Sequence, residues 1–171
     1  MSATPPEAKP EYSRAPRRSQ RPVAISVALF AAGVTGALLL VAAEFTTLYE
    51  EDSAASRVPI HTVLTGRHNS YALIPVALLA ILLAFGATRS ANRPALLALG
   101  TLGILTVVIA LVGDLPDAQA SGVVGSALAG YAKAKDVPQI GLYLETLGAA
   151  VLVITCGAGL LLTHPSGGRA A

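Results

Sequence analysis

The chain reads as an all-α integral membrane protein, a four-transmembrane-helix bundle with two outer connectors forming a small cap. Four apolar runs predict it: Val23 to Ala43, Tyr71 to Ala87, Ala95 to Gly113 and Gly141 to Thr163, with Glu145 the one charge inside them. A helix rises about 1.5 Å per residue and the hydrocarbon core is about 30 Å thick, so each run fits the roughly 17 to 25 residues that a span needs. Composition agrees: 53% hydrophobic against 13% charged leaves too little polar surface for an ordinary water-soluble domain. Backbone in lipid must satisfy its own hydrogen bonds, which favours helices for all four runs.

Residues 1–22 carry Pro5, Pro6, Pro10, Pro16 and Pro22 and almost no large apolar residue. They cannot bury a core and are expected to form a disordered, basic cytoplasmic tail. The bundle then occupies 23–163, with spans near 23–43, 71–87, 95–113 and 141–163, and 164–171 form a short cytoplasmic tail. A cleaved export signal would also place an apolar stretch after basic residues. The run from Val23 to Ala43 is longer than the usual 7 to 15 apolar residues of such signals, so it is expected to stay as an anchor. Arg17-Arg18 is followed by Ser19-Gln20-Arg21-Pro22 and reads as an anchoring charge cluster.

Of the 12 Lys and Arg residues, Lys9, Arg14, Arg17, Arg18, Arg21, Arg89, Arg93 and Arg169 fall on one side of the spans. Arg57, Arg67, Lys133 and Lys135 fall on the other, accompanied by acids. Cytoplasmic flanks are enriched in Lys and Arg, so both termini are expected in the cytoplasm of a multi-pass cell-membrane protein. In the first outer connector, from about Phe45 to Ser70, Pro59 to Gly66 suits a short helix or a membrane-dipping segment ending at Gly66. In the second, Val123-Val124, Leu128 and Tyr131 ahead of Lys133 and Lys135 suit an interfacial helix over Gly122 to Lys135. Asp136 with Pro138 resembles an ordinary helix opening for the fourth span. Phe45, Tyr49, Tyr71, Tyr131 and Tyr143 supply a thin aromatic belt near the outer side.

The chain resembles tetraspan junction proteins of the claudin type in topology alone. It has no Trp, and Cys156 is its single cysteine, so it lacks their paired-cysteine and Trp motif and cannot form an internal disulfide.

The site-like residues gather on the outer side. Glu44 ends the first span, Asp114 and Asp117 end the third, and Glu145 lies one turn into the fourth. Arg57, Arg67, His61 and His68 belong to the first outer connector. Outward-pointing helix C-termini disfavour negative charge by about 0.3 to 1 kcal/mol. Glu44 and Asp114 therefore call for compensation from Arg57, Arg67, a lysine, a protonated histidine, a metal or solvent sodium. At 100° per residue, Gly33, Ala37 and Leu40 share the face of Glu44; Gly103, Val107 and Ala110 that of Asp114; Gly141, Ala149, Leu152 and Cys156 that of Glu145. Small residues let membrane helices approach closely, so these faces are expected to point inward. The spacing Ala24, Ala28, Ala32, Gly36 marks either an intrachain contact or a homodimer seam.

His61 and His68 are weak metal candidates, because their spacing matches no ligand signature, and no metal or cofactor is assigned. Basic residues are not interleaved with aromatics, so nucleic acid is not an expected partner. No phosphate-cradling loop, nucleophile elbow or metalloprotease helix is present. The expectation is a non-enzymatic accessory or interaction subunit, held in the lipid bilayer beside a membrane-protein partner or as a homo-oligomer. The alternative is a small oligomeric transporter or ion-coupled carrier using the outer acids. If the first run is an anchor, an N-terminal epitope stays on the full-length membrane-bound protein; recovery of a mature chain starting at Glu44 would contradict it.

Overall fold

The computed structural model describes residues 23–53, 62–90, 92–126 and 130–163. Each apolar run lies on one long helix: α1 (Val23–Glu44), α3 (Leu73–Ser90), α4 (Arg93–Val108), prolonged by a π-helical segment Ile109–Asp114 and the single turn α5 (Leu115–Asp117), and α6 (Ile140–Thr163). Three of these stretches, Val23–Glu44, Arg93–Asp117 and Ile140–Leu162, are long and apolar enough to cross a membrane, and Leu73–Arg89 is a shorter apolar helix. α1 packs on α3 and α6, and α4 packs on the same two.

The bundle core mixes small residues with the large Leu40, Leu73, Leu99 and Leu152. Small residues such as Gly33, Gly36, Ala37, Ala77, Gly103 and Ala149 are buried, whereas Leu38, Leu82, Val112, Ile154 and Leu161 are exposed. Lipid tails are as apolar as leucine, so association in a bilayer comes from close backbone approach rather than from hiding large side chains. The α1–α6 seam has that form: a Cβ on Gly36 would lie 3.0 Å from the Gly148 carbonyl oxygen, and one on Gly148 would lie 2.9 Å from that of Gly36. Buried Thr106 and Thr155 return their hydroxyls to the carbonyls of Leu102 and Val151, at 3.0 and 2.7 Å, so no polar group is left open there. The alanine stripe of α1 does not form an intrachain seam along its length, since Ala24 and Ala28 are exposed and only Gly36 is buried.

The connectors correct the all-α expectation. They build a four-stranded antiparallel sheet in the order β2-β1-β4-β3, from β1 (Thr47–Ser53), β2 (Thr62–Leu64), β3 (Ser121–Ser126) and β4 (Gly130–Pro138). The interfacial helix expected over Gly122 to Lys135 is thus a hairpin. Its signal is period two rather than 3.6: Tyr131, Lys133 and Lys135 are exposed while Ala134 is buried. The helix expected over Pro59 to Gly66 is also replaced. Thr62–Leu64 pairs with β1, and only one turn, α2 (Thr65–His68), follows; 54–61 lie outside the described residues. Asp136 is not a helix opening but a strand residue, paired with Glu51 across β1 and β4. Leu48 of β1 fastens the sheet to the bundle, burying itself with Ala110, Ala118 and Leu142.

The like-charged Glu51–Asp136 pair gives the sheet a pH dependence. Burial first, then the charges of Glu51 and Asp117, push the Asp136 carboxyl above its ordinary value of 3.8. A carboxyl raised in the folded state stabilises the fold fully below its unfolded value, and that stability is lost as pH rises through the folded value. Asp136→Asn should therefore stabilise the protein by about 0.2 to 1 kcal/mol at neutral pH. The gain should disappear below about pH 4, where the native side chain is protonated in both states; thermal unfolding against pH in detergent checks this. Gly36→Val should cost about 1 to 3 kcal/mol by forcing α1 from α6, whereas Ala28→Val on the outward face should stay within about 0.5. Unfolding in mixed micelles distinguishes the two.

Candidate functional site

Glu44 ends α1, where its own helix disfavours its charge. The fold answers with another helix rather than a cation: the Leu73 N–H, at the start of α3, donates to Glu44 Oε1 at 2.6 Å. A helix N-terminus offers unpaired N–H groups and partial positive charge, so the carboxylate misplaced on α1 is well placed on α3. A tight turn makes this meeting possible. Ser70 and Tyr71 adopt φ of 52° and 57°, a conformation costing non-glycine residues on the order of 1 to 3 kcal/mol each. The Tyr71 N–H closes the turn on the Gly66 carbonyl at 2.8 Å. Gly66 must stay glycine there, since a Cβ would fall 2.6 Å from the Glu44 carbonyl oxygen and 2.5 Å from Tyr71 Cε1.

The same turn brings Asn69 and His68 over Asp114. Asn69 Nδ2 donates to Asp114 Oδ2 at 3.0 Å, and His68 Nε2 lies 3.4 Å from Asp114 Oδ1 and 3.4 Å from Asp117 Oδ2. Tyr49 of β1 meets the His68 ring edge-on, with centroids 6.2 Å apart; burial, followed by Asp136, Asp117 and Glu51, raises the Tyr49 phenol above its ordinary value. Pro116 accounts for the local backbone of Asp114. It has no N–H to give the Val112 carbonyl and its ring crowds that position, and the helix widens to π geometry over Ile109–Asp114.

Glu145 enters from α6 beside Asp114 and Glu44. The three carboxyl groups are buried almost completely, at 1% exposure for Glu44 and Asp114 and 0% for Glu145. Among the described residues no N–H or O–H donor reaches either Glu145 oxygen or Glu44 Oε2, and the neighbour of Glu145 is the Asp114 carboxyl. An unsatisfied buried polar group costs about 1 to 3 kcal/mol, more when charged, so this pocket is held at a disadvantage to stability.

The structure thus brings together Glu44, Asp114 and Glu145, with Asp117 at the rim and joined through His68. The faces named from helical angle do point inward: Gly33, Ala37, Leu40, Gly103, Ala110, Gly141, Ala149, Leu152 and Cys156 are buried, and Val107 is half-buried. Arg67 is exposed, and among the described residues no ion pair joins it to an acid; Lys133 and Lys135 are likewise exposed. Arg57 and His61 lie outside the described residues. Among those described, no three His, Cys, Asp or Glu side chains converge as metal ligands. Asn69, the Leu73 amide and Tyr49 were not anticipated. Asn69 just ahead of an apolar run was a usable sign, because Asn is a favoured residue at helix starts.

No protein family, curated protein or solved structure matches this chain.

Capping by α3 predicts a pattern of couplings. Glu44→Ala should cost about 1 to 3 kcal/mol, and Arg67→Ala about 0 to 0.5. A double-mutant cycle of Asn69→Ala with Asp114→Asn should give coupling above about 0.5 kcal/mol, and one of Glu44→Gln with Arg67→Ala should give none beyond about 0.3. Thermal stability in detergent measures both; the reverse ranking would restore an arginine lock.

Proposed function

We propose that all four long helices cross the cell membrane, with both termini cytoplasmic and the sheet outside, and that the protein is a non-enzymatic accessory or interaction subunit. The 18 residues of α3 reach about 27 Å, close to the hydrocarbon thickness and within the range of spanning helices. Arg89 rests over the Phe85 ring at 5.3 Å from its centroid and suits the cytoplasmic rim. Phe45, Tyr71 and Tyr143 are exposed near the opposite helix ends, where interfacial aromatics belong.

The observation that carries the interaction reading is the edge of the sheet. β3, Ser121–Ser126, pairs with β4 on one side, and among the described residues no strand pairs with it on the other. Its sequence Ser-Gly-Val-Val-Gly-Ser has neither charge nor proline, the usual protections of a free edge, and Val123 is exposed. Such an edge accepts a strand from a second protein by extending the sheet. A membrane-protein partner or a second copy would meet it at the outer surface, beside the lipid.

A small oligomeric ion-coupled carrier is the second reading, favoured by the buried, unpartnered Glu145. Against it, residues 24–43, 74–88, 94–113 and 146–163 contain no Asp, Glu, His, Lys or Arg. The ionisable groups therefore reach from one side only.

Affinity purification in mild detergent tests the function. A stoichiometric partner that Val123→Lys removes without loss of the fold supports the accessory reading; a partnerless oligomer with ion flux in vesicles supports the carrier. In a Cys156→Ala background, cysteines at Ser53 and Gln119 should react with an impermeant thiol reagent on intact cells, and one at Ser2 should not. Labelling at Ser2 with Ser53 protected would overturn the orientation.

A further inference from the structure

The carboxyl pocket has a charge imbalance that its neighbours do not resolve. α1 contributes Glu44, the π-helical segment Asp114, α5 Asp117 and α6 Glu145, while α2 contributes one imidazole, His68. The turn into α3 adds the neutral donors Asn69 and the Leu73 N–H, and β1 adds the Tyr49 phenol, which has Asp136 of β4 beside it. The one ionisable residue of α4, Arg93, opens that helix at its other end, and Arg67 stays exposed. Three buried carboxyl groups thus face one imidazole. Among the described residues no three His, Cys, Asp or Glu side chains are placed to hold one metal ion. What an unpartnered carboxyl next to another carboxyl does accommodate is a hydrogen between them.

We propose that this pocket is a proton-binding site in which Asp114 and Glu145 share one proton, loaded from the outer aqueous phase through His68. The route is graded in exposure: Asp117 is 58% exposed, His68 24% and Asp114 2% at their side chains, and Glu145 is fully enclosed. His68 Nε2 is equidistant from Asp117 and Asp114, at 3.4 Å from each. The Nε2 proton of the imidazolium passes to Asp114 Oδ1, Asp114 shares it with the Glu145 carboxylate, and neutral His68 takes a replacement proton from water beside Asp117. One proton enters and one negative charge is neutralised. The site does not depend on whether the protein acts as a subunit or as a carrier. In either case the proton acts where α1, α6 and the end of the third span meet beneath the sheet.

Infrared spectroscopy of the full chain in lipid bilayers tests this. At neutral pH the protein should show the C=O stretch of a buried protonated carboxyl. That band should be lost in Glu145→Gln, and Asp114→Asn, which removes the other half of the pair, should shift or abolish it. His68→Ala should keep the band but slow its shift on transfer to heavy water by about tenfold or more, as expected when a positioned proton donor is removed. Absence of the band from the native protein, its persistence unshifted in both carboxyl variants, or its appearance only after treatment with a chelator, which would reveal a bound metal ion, overturns the proposal. An unchanged exchange rate in His68→Ala overturns the loading route.

Discussion

The hydrogen bond from the Leu73 N–H to Glu44 is the contact on which the sheet-bearing half of this protein depends. It joins the end of α1 to the beginning of α3, across a connector that first leaves to build two strands. A charge-assisted hydrogen bond contributes about 1.5 to 3 kcal/mol, enough to offset much of the strain at Ser70 and Tyr71. That strained turn is what carries Asn69 and His68 over Asp114. Without the cap on α3, the turn has less reason to hold its shape, and Asp114 loses the donors that face it.

Lipid supplies the second constraint. The helices approach closely at Gly33, Gly36, Gly103 and Gly148, and acids from three different elements come together in one pocket. The sheet is set against the bundle through Leu48, packed among Ala110, Ala118 and Leu142, and meets His68 through Tyr49. Burying carboxyl groups that no N–H or O–H donor reaches, as at Glu145 and Glu44 Oε2, reduces stability. Groups held at such a disadvantage are the ones for which a role beyond packing has to be sought.

The long helices were legible because length and hydropathy are local properties, and the inward direction of Glu44, Asp114 and Glu145 followed from helical angle. The sheet was not legible. Val123, Leu128 and Tyr131 mimic helical spacing, and the alternation from Tyr131 to Lys135 is only five residues long, too short to compete. The partner of Glu44 was missed for a different reason. Dipole reasoning treated each helix alone and so called for a cation, whereas the compensating charge is the N-terminus of the next long helix, placed there by a left-handed turn that no composition rule indicates at Ser70 and Tyr71.

Glu44 caps α3, and the Leu73 amide reports that contact directly. In nitrogen-15-labelled protein in bicelles, the Leu73 amide proton should resonate far downfield, exchange slowly, and move upfield in Glu44→Gln while remaining unchanged in Arg67→Ala. A Leu73 amide indifferent to Glu44→Gln, together with a Glu44 carboxyl carbon that responds to Arg67→Ala, would contradict the account and return the pairing to the arginine.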